Sequence, residues 1–207
     1  QQPAELAVLQ AATVGAPRAV QTAVAYDISV VRTQAAQEAA IQAAVANAAT
    51  PTAPPPPTGR VSFHAPVGGV VTQAFGPTSL ALEPPVTYNG VFSQHFHTGL
   101  DIAAPLDTPV GAAANGVVVL AASSRDATGN LVGYGNYVVI KHADGYETVY
   151  AHLDQILATV GEQVRQGQVI GLLGSTGWST GPHVHFEIRL NGSYVDPAPF
   201  LAAQLRP

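Results

Sequence analysis

The 207-residue chain carries 8 Lys and Arg against 13 Asp and Glu, a net charge of −5, and 47% of it is hydrophobic. That composition suits one domain of ordinary size plus an extension. The scattered basic residues exclude the dense positive footprint of a nucleic-acid binder. There is no cysteine, so disulfide frameworks and thiolate metal sites are excluded, and any metal would have to be held by His, Asp or Glu.

The longest apolar runs, such as Val117–Ala122 and Val169–Leu173, are far shorter than the roughly 20 residues that span a bilayer. With Gln1 first and no Met anywhere, the sequence reads as a processed or trimmed chain whose signal peptide or anchor is not included. Residues 1–49 are rich in Ala, Val and Gln and predict an α-helical extension with a break near Gly15 and Pro17. Val20, Val24, Ile28, Val31 and Ala35 recur at spacings of three and four and form one apolar stripe. Such a stripe suits a bundle or coiled-coil stalk contacting another protein, equally a helix packed on the chain's own following domain, and less well a flexible Ala-rich tether.

Residues 50–59 contain Pro51 and the run Pro54-Pro55-Pro56-Pro57. Proline removes backbone donors and favours extended geometry, so this stretch reads as a linker and domain boundary. From residue 60 the texture changes to short β-branched runs punctuated by glycine, which predicts a compact, mainly β, antiparallel domain over 60–207. Asp144-Gly145 and Asn191-Gly192 are strong hairpin signals. The segment Leu80–Phe96, with Pro84-Pro85, reads as a long loop on the rim of a site. Asp196–Ala203 is expected to close the domain with a short helix after Pro197.

Three short segments concentrate the polar chemistry. In His97-Thr98-Gly99-Leu100-Asp101, Gly99 and the approach to Pro105 disfavour helix, and in an extended chain residues four apart share a face. In His183-Val184-His185, side chains two apart project from one strand face. In Thr148–His152 the same alternation aims Tyr150 and His152 to one side. A histidine and carboxylate cluster without thiolates suits a catalytic zinc, with three protein ligands and one open position.

These segments, in this order, resemble those of the lysostaphin-type (LytM-type) zinc metallopeptidases. Phe96–Pro105 looks like that family's first metal motif, Tyr150-Ala151-His152-Leu153 like its central motif, and Gly174–Glu187 like its last. Flanking matches at Gly135–Ile140 and Gly167–Gly171 extend the resemblance over about residues 60–202. It implies a compact β catalytic domain of the barrel-sandwich hybrid type. It also implies Zn2+ held by His97, Asp101 and His185, and His152 and His183 as the catalytic pair. The implied activity is hydrolysis of peptide cross-links in bacterial peptidoglycan by a secreted or cell-envelope endopeptidase, with metal-bound water as the nucleophile. Zinc lowers the pKa of its bound water from about 16 toward 7. No His-Glu-x-x-His helix is present to supply a base, which leaves proton transfer to His152 and His183.

One departure stands out: residues 77–96 contain no Arg, whereas wall-cutting members of the family usually carry an Arg and a His there. His95 reads as solvent-exposed, and His64 and His142 have no motif role. Competing readings are a catalytically silent member that binds wall or activates an amidase, and a wall hydrolase associated with a phage tail or virion. A biotinyl or lipoyl carrier fits poorly, because the only lysine, Lys141, lies within a β run. Among substrates, direct cross-links are favoured over glycine bridges.

Overall fold

The computed structural model describes residues 18–48, 61–201 and 204, with side chains from residue 29 onward. The linker over 50–59, the break near Pro17, and the side chains of Val20, Val24 and Ile28 lie outside the described residues. The described chain divides into two compact units, one formed by residues up to 40 together with 77–97, the other by residues 41–76 and 98 onward.

In the first unit, helix α1 (Arg18–Asn47, continuing into the second unit) buries Val30 and Val31. Strands β3 (Val86–Tyr88) and β4 (Val91–Ser93) pair antiparallel. The stretch expected to be an irregular loop is therefore partly a hairpin. Its turn, Asn89-Gly90, has φ of 49° and 81°, the doubly left-handed geometry that two-residue hairpins favour. His95 is half-buried rather than exposed, its Nδ1 3.0 Å from the carbonyl oxygen of Glu83. Strand β5 (Phe96–His97) ends this unit.

The second unit is built on a ten-stranded antiparallel sheet. Its main path runs β1 (Val70–Gln73), β6 (Leu100–Ala103), β13 (His183–Leu190), β10 (Tyr146–Ile156), β9 (Leu131–Lys141), β8 (Gly116–Arg125) and β11 (Gln163–Val164). Strand β12 (Val169–Leu173) joins β10 to β7 (Pro109–Gly111), and β14 (Ser193–Val195) pairs with β13. A short helix, α2 (Ala198–Leu201), follows Pro197 and buries Leu201. Two further short pairings exist among the described residues, β3 with β4 and β5 with β2 (Gly76–Pro77).

Side chains on β8, β9 and β10 alternate between two apolar clusters, as the two-residue period requires. Val118, Val138, Ile140 and Tyr150 join the main core with Leu100, Ile102, Val184, Phe186 and Ile188. Val119, Val139, Val149 and Ala151 face the other way and pack with Tyr134, Tyr137 and Ile41 of α1. The end of the helix therefore packs on the sheet of its own chain. Its last turn carries no basic residue. Lys141, the only lysine in the sequence, donates instead to the carbonyl of Val45 at 3.2 Å, placing a cation at the negative end of the helix dipole.

Candidate functional site

Strand β13 carries most of the site. Val184, Phe186 and Ile188 point into the core, so the alternate face presents His183, His185, Glu187 and Arg189, all buried. Strand β6 lies beside it with His185 opposite Asp101. Leu100 and Ile102 anchor β6 in the core, which turns Asp101 to the same side as the histidines. A ring nitrogen each of His97 and His185 and a carboxylate oxygen of Asp101 lie within 4.8 Å of one another, and all three residues are buried. His97 and Asp101 are not on one continuous strand, since the chain breaks at Thr98-Gly99 between β5 and β6. Gly99 is required there: a Cβ would lie 2.5 Å from the Phe186 carbonyl oxygen and 2.9 Å from the His185 ring.

His152 arrives differently from the expected alternation. Tyr150 is wholly buried in the core, its ring 5.4 Å from Phe186, while His152 sits with the site histidines, 4.8 Å from the His183 ring and 5.9 Å from the His185 ring. The two side chains therefore do not share a side. The cause is a bulge: pairing of β10 with β9 slips between Tyr150 and Leu153, and His152 has φ of +61°. A bulge re-aims one side chain and locally breaks the period of two.

The glycine-rich segment before β13 orients both outer histidines. His152 Nδ1 lies 2.7 Å from the Thr176 carbonyl oxygen, and His183 Nδ1 lies 2.7 Å from that of Gly181. A carbonyl can only accept, so each Nδ1 carries a proton, and Nε2 is the nitrogen of each ring left without a main-chain partner. The Thr176 hydroxyl donates to the Leu153 carbonyl at 2.8 Å and accepts from the Asn136 backbone N–H at 3.0 Å, which pins the loop to the sheet. Ser179 Oγ lies 3.3 Å from His183 Nδ1, whereas no bond ties Thr180 to the site.

Electrostatics separate the histidines. Burial, reinforced by the charges of His183 and His185, pushes the pKa of His152 down to about 3, so it is neutral at neutral pH. Burial also opposes charge on His185, but hydrogen bonds to Asp101 and Glu187, each 3.0 Å away, outweigh it and raise its pKa to about 10. His183 Nε2 lies 3.5 Å from Asp101 Oδ2. His64 is exposed, and His142 is buried away from this site against Asn115 and Thr148.

Sequence reasoning passed over a supporting layer. Glu187 is fully buried and accepts hydrogen bonds from Thr98 and Tyr134 hydroxyls, both at 2.6 Å, while Arg189 pairs with its other oxygen at 2.6 Å. Burial works to raise its pKa, yet Arg189, His185 and Thr98 hold the carboxyl well below the ordinary range. The signal was available in the run His183-Val184-His185-Phe186-Glu187-Ile188-Arg189, where the period of two places four polar residues on one face.

A buried cluster of two imidazoles and a carboxylate, flanked by two histidines held by main-chain carbonyls on the antiparallel sheet of a lysostaphin-like β domain, is a donor set of the kind that can hold a catalytic metal. The chain belongs to peptidase family M23, whose model matches residues 95–197. It is 52% identical over 101 residues to the DD-carboxypeptidase/endopeptidase Mpg of Neisseria meningitidis, covering 49% of this chain and 22% of that protein. It is 45% identical, with the same coverage, to the peptidoglycan DD-endopeptidase ShyC of Vibrio cholerae. The chain thus spans about a fifth of the length of these curated relatives. The catalytic domain of lysostaphin from Staphylococcus simulans superposes with a TM-score of 0.51 at 35% identity, covering 64% of this chain and 91% of that one.

Proposed function

We propose that this chain is a zinc-dependent endopeptidase of the cell envelope that hydrolyses peptide cross-links of bacterial peptidoglycan. The observation that carries the reading is the convergence of His97, Asp101 and His185 on one buried point, beside two histidines held by main-chain carbonyls. Two imidazoles and one carboxylate are a donor set suited to catalytic zinc. His97, Asp101 and His185 would hold the ion. Once bound, zinc supplies Lewis acidity, polarising the scissile carbonyl and acidifying the attacking water.

Proton handling falls to His152 and His183. With Nδ1 of each committed to a carbonyl, each has Nε2 free to accept a proton from the attacking water. The resulting imidazolium can return that proton to the departing amine. The two rings are 4.8 Å apart, close enough for the pair to serve one reacting centre, and we assign them jointly. Near burial of both excludes bulk water and strengthens every polar contact. For the bond cut, the DD-endopeptidase activity in the name of ShyC favours direct cross-links over glycine bridges.

The deciding experiment is muropeptide release from purified peptidoglycan, with products identified by mass. Metal-replete protein should release them, and chelated protein and His183→Ala should not. Absence of release from every wall type by a protein with zinc bound would overturn the reading in favour of a silent, wall-binding member.

A further inference from the structure

We infer that Glu187 is a positioning residue that selects Nδ1 of His185 as the metal-binding nitrogen and couples His185 to the segment carrying His97. The inference rests on the metal-centre reading above.

Glu187 is 0% exposed, and both carboxylate oxygens are committed. Oε2 takes Arg189, through Nε at 2.8 Å and the guanidinium NH2 at 2.6 Å. Oε1 takes the hydroxyls of Thr98 and Tyr134 at 2.6 Å each and faces His185 Nε2 at 3.0 Å. An ionised carboxylate can only accept, so Nε2 of His185 must carry its proton. Nδ1, 3.0 Å from Asp101 Oδ1, is the nitrogen on the Asp101 side, so it is the one that would give up its proton to a metal while Nε2 stays bonded to Glu187.

If Glu187 served only to neutralise Arg189, one oxygen would suffice. Instead Oε1 is aimed at His185, and its other two donors come from the chain neighbour of His97 and from β9. Tyr134 also stacks its ring on His185, 5.7 Å between centroids at 28°, so the residue that steadies the carboxylate also fixes the imidazole plane. Outer partners of this kind orient ligating histidines and typically change metal affinity by about 10-fold to 100-fold.

The test is zinc affinity by chelator competition on the whole chain, together with imidazole nitrogen NMR of the zinc-loaded protein. The parent should bind zinc with His185 protonated at Nε2. Glu187→Gln, which places an amide where the carboxylate was, should weaken zinc binding roughly 10-fold to 100-fold and lose the single His185 tautomer. If that variant does not fold, Tyr134→Phe and Thr98→Val decide, each removing one donor while keeping volume, with an expected loss of roughly 2-fold to 10-fold. Unchanged affinity in folded Glu187→Gln, or in both milder variants where it does not fold, overturns the inference and leaves the metal centre standing. So does a zinc-loaded parent with Nδ1 protonated. A parent that binds no zinc overturns both.

Discussion

His152 donates its Nδ1 proton to the carbonyl oxygen of Thr176 at 2.7 Å, from a backbone in the left-handed region at φ +61°. A β-strand residue rarely adopts that conformation, and it persists only where surrounding structure over-determines it. The restraint here is the turn that follows β12. Gly177, at φ +73°, packs so tightly that a Cβ would collide with the Gly133 carbonyl oxygen and the Gly135 nitrogen. Gly177→Ala must therefore shift the Thr176 carbonyl and release the His152 ring. Peptidase activity is expected to fall about tenfold or more, since misplacing a catalytic group by an ångström costs at least that much. Zinc content should stay at the parental level. Parallel measurement of kcat and bound zinc checks this, and loss of zinc in the variant would count against a role confined to His152.

Substitutions within the site should sort into two groups. His152→Ala and His183→Ala are expected to lose roughly a hundredfold or more in rate while retaining zinc, because they remove proton transfer. His97→Ala, Asp101→Ala and His185→Ala are expected to lose zinc as well as activity. Metal analysis of each purified variant draws the line, and zinc loss from His152→Ala or His183→Ala would reassign that residue as a ligand.

Much of this arrangement was legible in the chain because strand periodicity is local. His183 and His185 two apart on β13 needed only the period of two to be placed together, and Asp144-Gly145 and Asn191-Gly192 marked their hairpins, with φ of 55° and 76°, and 51° and 77°. His152 was legible as one of the three polar segments, but strand alternation set it on one side with Tyr150, which lies in the core. The bulge that separates them depends on how β9 and β12 pair with either end of β10. Asn89-Gly90 carried the same hairpin signal as the other two but lay close behind Pro84-Pro85, which made the whole segment look irregular. The bonds of Glu187 to Thr98 and Tyr134, 89 and 53 residues away in sequence, arise from tertiary packing that no local pattern encodes.

Away from the site, His142 gives the fold a dependence on pH. Burial pushes its pKa from 6.5 down to about 4, against the raising effect of its bond to the Asn115 carbonyl. That carbonyl, 2.8 Å from Nδ1, can only accept, so Nε2 accepts from the Thr148 hydroxyl at 2.7 Å. A second proton would break this chain. Between pH 6.5 and 4 the unfolded state binds more protons than the folded one, so stability is complete above 6.5 and declines as pH falls through that window. The loss attributable to His142 approaches about 3 kcal/mol at pH 4. His142→Asn should be less stable at neutral pH but should lose less between pH 7 and 4 than the parent does. Urea unfolding at several pH values measures both, and parallel pH profiles for the two proteins would remove His142 as the cause.

Helix α1 offers the last test, because its end packs against the sheet from Ile41 onward. Ile41 is 1% exposed within the cluster containing Tyr134, Tyr137, Val139 and Val149, and Lys141 bonds the Val45 carbonyl nearby. Deleting three methyl or methylene groups from a site so enclosed removes transfer free energy and leaves a cavity, so Ile41→Ala should destabilise the fold by about 2–4 kcal/mol. Ala46, exposed on the same helix, gives the contrast: Ala46→Ser should change stability by about 0.5 kcal/mol or less. Denaturant midpoints of the two variants decide whether the helix end folds with the sheet. Equal midpoints would make it an independent appendage. A selective loss in Ile41→Ala would make residues 41–48 part of the same cooperative unit as the strands that carry the site.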